Sequence, residues 1–472
     1  MSRSAPVVPA ALLALALTLS GCTGGGDGAK GTPGSSGLRD PYFPKMGNGG
    51  YDVTHYGLTL DYDPDDNHLR GRAVITARAK QDLSAFDLDL KGLSVKGVTV
   101  EGEKARWNRA GQELTVRPKG DLDKGETFRT TVRYEGSPET ITDADGAEEG
   151  WLRTGDGAVA LGEPTGSMAW FPGNHHPSDK ASYDLAVTVP KGLQAVSNGE
   201  LKGAPTTKDG ATTFTWHTAE PMASYLATVA IGRYDIRRST TPDDLPVYVA
   251  VDPSQTKASR KVLARIPEVM TWAQRTFGPY PFSSTGAIVD RPDDAQYALE
   301  TQNRPFFPGA PETELLVHEL AHQWYGDSVT PRTWRDMWLN EGFATYAEWL
   351  WQEEHGGETA QQIFDALYDG DYYQDRTDDE AIWAFPPAKP SGAAHISDSP
   401  VYERGAMVLH KIRQKTGDKT FRTLLRGWAT KHRHGNADTG EFTAYVEQQV
   451  PDKDFSGIWK EWLYGDGKPG KP

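Results

Sequence analysis

Apolar and polar residues alternate through the first half of the chain. Phe86-Asp87-Leu88-Asp89-Leu90 alternates strictly, and shorter runs of the same period surround Leu58-Thr59-Leu60 and Val74-Ile75-Thr76-Ala77. Period two gives a pleated strand one apolar face. Turn clusters such as Pro64-Asp65-Asp66-Asn67 and Lys208-Asp209-Gly210 punctuate the runs. Residues 51 to 235 therefore predict an antiparallel β domain of many short strands. Beyond Asp235 the texture changes. Residues 246–251 and 286–290 predict strands, 254–277 a helix ended by Gly278-Pro279, and 339–355 a helix stopped by Gly356-Gly357. Residues 296–307 read as an extended edge, to which a peptide backbone can add by β pairing. The remainder is mostly helical, which makes the whole an α+β chain with a β domain followed by a mixed, largely helical one.

The first 22 residues follow neither pattern. Arg3 is a short basic start, residues 7–19 are an apolar run, and Leu19-Ser20-Gly21-Cys22 follows. This is the organisation of a secretory signal, and its end resembles the bacterial lipobox. That resemblance implies that Cys22 is lipidated and becomes the mature amino terminus, on the extracellular face of a bacterial cell membrane, with the lipid as the only membrane attachment. Cys22 is the sole cysteine, so no disulfide can form within the chain. Residues 23–37 are rich in Gly, Ser and Pro and predict a flexible tether. The expected organisation is a signal over 1–22, a tether over 23–45, a β domain over 46–236 and a second domain over 237–472.

At 472 residues the chain has room for two or three domains. Sixty-five acids against 50 bases give a formal charge of -15, which disfavours nucleic acid and anionic membrane surfaces as partners. No segment after the first 20 residues is apolar enough to span a bilayer.

The chemistry concentrates in Val317-His318-Glu319-Leu320-Ala321-His322. Residues four apart on a helix share a face, so His318 and His322 can offer their imidazoles to one metal ion. Glu319 projects close to that point, where it can reach a water rather than the metal. A catalytic zinc takes three protein ligands and keeps one position open. Glu341 supplies the third, separated from His322 by eighteen residues and in the first turn of the next predicted helix. Asp327 and Asp336 are candidates to orient the histidines, and each is equally a helix cap or a surface acid.

The longer pattern around these residues is specific. His322-Gln323-Trp324, Val329-Thr330 and Trp338-Leu339-Asn340-Glu341-Gly342-Phe343-Ala344 resemble the aminopeptidase N-like family of gluzincin metallopeptidases. The resemblance continues in Gly162-Glu163-Pro164, Pro221-Met222-Ala223-Ser224-Tyr225-Leu226, Val401-Tyr402-Glu403-Arg404-Gly405 and Gly435-Asn436-Ala437. It implies a thermolysin-like catalytic domain with one zinc per chain, held by His318, His322 and Glu341. It also implies an exopeptidase acting on peptides with a free amino terminus, in a member without the large C-terminal helical domain. By resemblance, Glu319 is the general base, Tyr402 donates to the oxyanion, and Glu300 and Glu163 receive the substrate's amine. Tyr297-Ala298-Leu299-Glu300-Thr301 stands where the family has G-x-M-E-N; Tyr297 replaces glycine and Thr301 replaces asparagine. His175 and His176 are expected on a solvated loop without a role. The alternatives are a zinc endopeptidase with the same metal site, an epoxide-opening hydrolase, and a surface lipoprotein that binds peptides without turnover. Oligomeric state is not legible.

Overall fold

The computed structural model describes residues 31–470, so the signal segment, Cys22 and the first part of the tether lie outside the described residues. The β domain is built on a nine-stranded sheet whose centre is the row Lys180–Pro190, Tyr51–Asp63, His68–Ala79 and Thr127–Gly136. Buried and exposed positions alternate along His68–Ala79 and Thr127–Gly136, and the buried set carries the apolar side chains. The sheet is antiparallel except at one seam, where Tyr51–Asp63 runs parallel to Lys180–Pro190 with Leu58 beside Leu185. A five-stranded sheet includes Glu148–Arg153, Ala158–Leu161 and Val229–Gly232 and lies toward the second domain. No helix among the described residues is long and apolar enough to cross a membrane.

The expected tether differs from what is observed. From residue 31 onward it is packed against the fold. Thr32–Pro33 pairs in parallel with Leu83–Asp89. Asp40 accepts from the backbone N–H groups of Tyr42, Phe43 and Trp334, and Tyr42 donates to the carbonyl of Pro390 at 2.6 Å. Glycine and serine concealed the few residues that anchor the segment, Asp40, Tyr42, Phe43 and Met46. His175 and His176 are likewise buried rather than solvated. His176 lies against Asp40 at 3.4 Å, and His175 Nε2 lies 3.0 Å from the carbonyl of Phe171.

The second domain begins with a four-stranded sheet, Asp235–Thr240, Pro246–Val251, Thr285–Val289 and Phe306–Phe307; its first strand straddles the expected boundary at 236/237. The helix predicted over 254–277 is two, α1 (Thr256–Leu263) and α2 (Ile266–Phe277). Pro267 has no N–H to offer the Leu263 carbonyl, and the helix restarts there. Two further helices follow, α3 (Thr313–Ala321) and α4 (Trp338–Glu354). Trp338, Phe343, Tyr346, Trp349 and Leu350 of α4 are all buried. Each buried large side chain contributes about 1.5–3 kcal/mol, so packing rather than propensity fixes this helix.

The segment 296–307 is not the extended edge expected from its residues. Leu299 and Phe306 exchange backbone hydrogen bonds at 3.0 and 2.8 Å, and the chain between them folds back through a turn in which Arg304 N–H donates to Thr301 O. Asn303 occupies the left-handed region at φ 71°, a conformation asparagine tolerates better than most residues. Only Phe306–Phe307 pairs with the sheet.

Helix α4 crosses the helix Gly405–Thr416 at a pair of glycines. A Cβ on Gly342 would stand 2.9 Å from the carbonyl carbon of Gly405, and one on Gly405 would stand 3.1 Å from the Cα of Gly342. These glycines follow Glu341 directly and Tyr402 by three residues, so the close approach sets the distance between those two side chains. Gly342→Ala gains up to ~1 kcal/mol of helix propensity but meets backbone that cannot rotate away, at about 1–3 kcal/mol for overpacking. The net expectation is a lower Tm in thermal unfolding; an unchanged or raised Tm would show that the crossing has slack.

Candidate active site

Helix α3 presents His318 and His322 one turn apart, and α4 brings Glu341 to face them. Glu341 Oε2 lies 3.2 Å from His318 Nε2 and 3.2 Å from His322 Nε2. The other nitrogen of each ring is engaged. His318 Nδ1 lies 2.6 Å from Glu348 Oε1, and His322 Nδ1 donates to the carbonyl of Tyr325 at 3.0 Å. A carbonyl only accepts, so Nδ1 of His322 carries a proton and Nε2 is the atom left to face the shared centre. Burial raises the Glu341 carboxyl, but the two imidazoles outweigh it and hold it down at about 2. An ionised carboxylate and two imidazoles whose Nε2 atoms converge on it are the donor set of a catalytic zinc, and the three donor atoms lie within 4.8 Å of one another. The residues present fit the metal.

The orienting groups are Glu348 and the Tyr325 carbonyl, and not Asp327 or Asp336. Asp336 instead accepts from the backbone and hydroxyl of Thr439 and from Thr333. Glu348 had a signal in the sequence: it lies seven residues after Glu341, two turns along the same face of α4. A backbone carbonyl has none. The turn that delivers it needs Gly326, at φ 133°, where a Cβ would press to 3.2 Å of His322 Nδ1. Lys180 of the β domain is half-buried and donates to the carbonyls of Asp327 and Ser328 at 2.8 and 3.0 Å, closing the same turn.

Around this centre lies a cleft of about 520 Å³ between the two domains. Glu319 faces into it, with Oε2 buried and lacking a hydrogen-bond partner among the described residues. Tyr402 sits on a wide helical turn, Pro400–Arg404, its ring stacked parallel to His318 with centroids 6.1 Å apart. Burial, and then the carboxylates of Glu341 and Glu163, push the Tyr402 hydroxyl well above its ordinary range, so it remains a proton donor.

Glu300 and Glu163 meet in the same cleft from opposite domains. One oxygen each of Glu163, Glu300 and Glu341 lie within 4.8 Å of one another. Glu163 Oε1 and Glu300 Oε1 are buried without a partner among the described residues. Burial raises both carboxyls, Glu163 the more strongly because Glu300, Glu341 and Glu319 add to it. The Glu300 loop is pinned to the metal-binding helix by Gln323. Its Nε2 donates to Glu300 O at 3.1 Å, and its Oε1 accepts from Asn303 N–H at 2.8 Å. Arg304 then locks that loop to the β domain through the carbonyls of Ser197 and Gly199, between the rings of Trp216 and Tyr248. Tyr297 donates to the Glu163 carbonyl at 3.3 Å across the domain boundary. Gln323, Arg304 and the Tyr297 hydroxyl were not singled out from the sequence.

Comparison with known proteins decides the family. Residues 52–226 match the model described as the peptidase M1 N-terminal domain, and 309–462 match the peptidase family M1 domain. A solved two-domain M1 zinc metallopeptidase bound to L-arginine is 30% identical, with a TM-score of 0.83 over 92% of this chain and 99% of that one. The chain belongs to peptidase family M1. A further M1 zinc metallopeptidase structure, from Deinococcus radiodurans, is 29% identical with a TM-score of 0.84 over 92% and 98% of the two chains. Among curated M1 relatives, glutamyl aminopeptidase of Homo sapiens is 26% identical over 63% of this chain and 33% of its own length. Probable aminopeptidase 2 of Sulfurisphaera tokodaii is 24% identical over 88% of this chain and 54% of its own. The chain thus spans between a third and just over half of these curated relatives. The cofactor of this M1 chain is zinc, and His318, His322 and Glu341 are the residues that would hold it.

Two variants test the metal centre. His322→Ala is expected to lose zinc by metal analysis of the purified protein; full occupancy would refute the ligand set. Glu348→Ala should keep the ligands but weaken zinc affinity by about 10–100-fold in chelator competition, as loss of an orienting carboxylate does.

Proposed function

We propose that this chain is a zinc aminopeptidase that removes the first residue from peptides. The observation that carries the reading is the convergence of Glu163 and Glu300 beside Glu341, each of the two with an oxygen that finds no partner among the described residues. A free α-amine has a pKa near 7.7–8.0 and is largely cationic at neutral pH, and buried carboxylates are its natural partners. With the amine held there, the first peptide bond lies at the metal centre, and the chain cannot extend further in that direction. An endopeptidase needs that space open. The curated relatives named as aminopeptidases support the same reading.

Zinc, when bound, polarises the scissile carbonyl and acidifies water. The remaining work falls to the protein. Glu163 and Glu300 bind the ammonium and fix the register. Glu319, through its free Oε2, takes the proton of the attacking water and later delivers it to the departing amine. The Tyr402 hydroxyl donates to the oxygen that gains charge as the carbonyl becomes tetrahedral.

We also propose that Cys22 carries a lipid that tethers the enzyme to the outer face of a bacterial cell membrane. Leu19-Ser20-Gly21-Cys22 after an apolar run supports it. Cys22→Ser should then release the protein from the membrane fraction or leave the signal unprocessed; normal processing with unchanged membrane association would remove the lipoprotein reading.

Glu319→Gln should retain zinc and lose about 10²–10⁴-fold in kcat, because an amide cannot accept the proton; turnover within a few fold would remove Glu319 as the base. Peptides with acetylated amino termini should not be cleaved by the unmodified enzyme. Internal cleavage of acetylated peptides at rates similar to free ones would replace the aminopeptidase reading with the endopeptidase one.

A further inference from the structure

The charge in the cleft is one-sided beyond what metal and amine account for. Among the described residues, seven carboxylates line it and no lysine or arginine does. Five have a role already: Glu341 as ligand, Glu348 against His318, Glu319 as base, and Glu163 and Glu300 at the amine. Asp143 and Asp145 remain. Both lie on the turn between the strands Thr140–Thr142 and Glu148–Arg153 of the β domain.

That turn is built rather than loose. Asp143 Oδ1 accepts from the N–H groups of Asp145, Gly146 and Ala147 at 3.0–3.1 Å, and Asp145 Oδ1 accepts from Ala147 N–H at 2.8 Å. Glu148 N–H donates to Gln296 Oε1 at 3.2 Å, which moors the turn to the second domain beside Tyr297. The backbone bonds named here use one oxygen of each aspartate. Burial, and then the neighbouring Asp145, push the Asp143 carboxyl up to about 6, the mark of two acids facing each other with no cation between them. Tyr297 lines the same cleft as Asp143, Asp145 and Glu163, and its hydroxyl donates to the Glu163 carbonyl at 3.3 Å. Glu300 lines the same cleft, 3% exposed, and its Oε1 has no partner among the described residues, so the turn lies beside a site already built to receive a cation.

We infer that Asp143, Asp145 and Tyr297 form a subsite for the side chain of the substrate's first residue, and that it selects lysine and arginine. An aromatic wall accepts the alkyl stem or the face of a guanidinium, and the paired carboxylates take the charge at its end. Acidic first residues are disfavoured in the same cleft by repulsion. The inference rests on the aminopeptidase reading, since without the amine site nothing places the first side chain here.

The test is kcat/KM of the zinc-loaded protein on Arg-, Lys-, Leu- and Glu-amide reporters with free amines. Arg and Lys should exceed Leu by about tenfold, equivalent to about 1.4 kcal/mol, with Glu slowest. Asp143→Asn combined with Asp145→Asn keeps the acceptors that shape the turn and should lower the Arg/Leu ratio about tenfold. Asp145→Lys, on an exposed tip, should move the preference from Arg toward Glu. A purely structural role would lower all four substrates together and leave the ratios in place. Turnover of Leu reporters without an Arg preference, or ratios unmoved in both variants, overturns this inference and leaves the aminopeptidase reading standing. No turnover of any free-amine reporter overturns both.

Discussion

The constraint on which the rest of this structure depends is the burial of like charge in one cleft. Glu163, Glu300, Glu319 and Glu341 share about 520 Å³ with two histidines and, among the described residues, no lysine or arginine. Taking a carboxylate out of water costs several kcal/mol unless a partner or a proton offsets it. Part of the answer is internal, because Glu341 lies between two imidazoles. The rest comes from outside the chain, from a divalent metal and, in the proposed reading, from a substrate ammonium. The same acidity that makes the cleft unfavourable when empty gives it affinity for cations and makes their arrival specific.

Holding such a cleft together requires walls that do not relax. The walls come from both domains, and Lys180, Arg304 and Tyr297 each join them by donating to backbone carbonyls. Gln323 ties the Glu300 loop to α3, Arg304 ties it to the β domain, and Lys180 closes the turn after the second histidine. The Gly342–Gly405 crossing sets Tyr402 against the metal centre. The segment containing Asp40 reaches from the β domain to Trp334, just ahead of α4. A geometry assembled from several short-range contacts keeps four carboxylates close where loose loops would let them part.

Much of this was legible because the residues that face the metal obey helical spacing. His318, His322 and Glu341 follow from a four-residue interval and the start of the next helix, and the period-two runs marked the β domain. What stayed hidden has physical reasons. Tyr325 acts through its carbonyl, which every residue possesses. Gln323 and Arg304 serve loops distant in sequence. The 296–307 segment looked like a strand because its ends are apolar, yet Asn303 in the left-handed region folds it into a turn. The tether was misread from residue 31 because composition records what most residues do, whereas a few anchors decide whether a segment packs. His175 and His176 look like solvated loop residues in the sequence because nothing local marks their burial beside Phe171 and Asp40.

The central claim is that Glu163 and Glu300 exist to bind a cationic amine beside the metal. Calorimetric titration of the zinc-loaded protein with a non-cleavable peptide analogue, carrying either a free or an acetylated amino terminus, tests it without relying on turnover. The account predicts binding at least about tenfold tighter for the free amine, or 1.4 kcal/mol, and loss of that difference when Glu163→Gln and Glu300→Gln are combined. Equal affinity for the two peptides in the unmodified protein would contradict it.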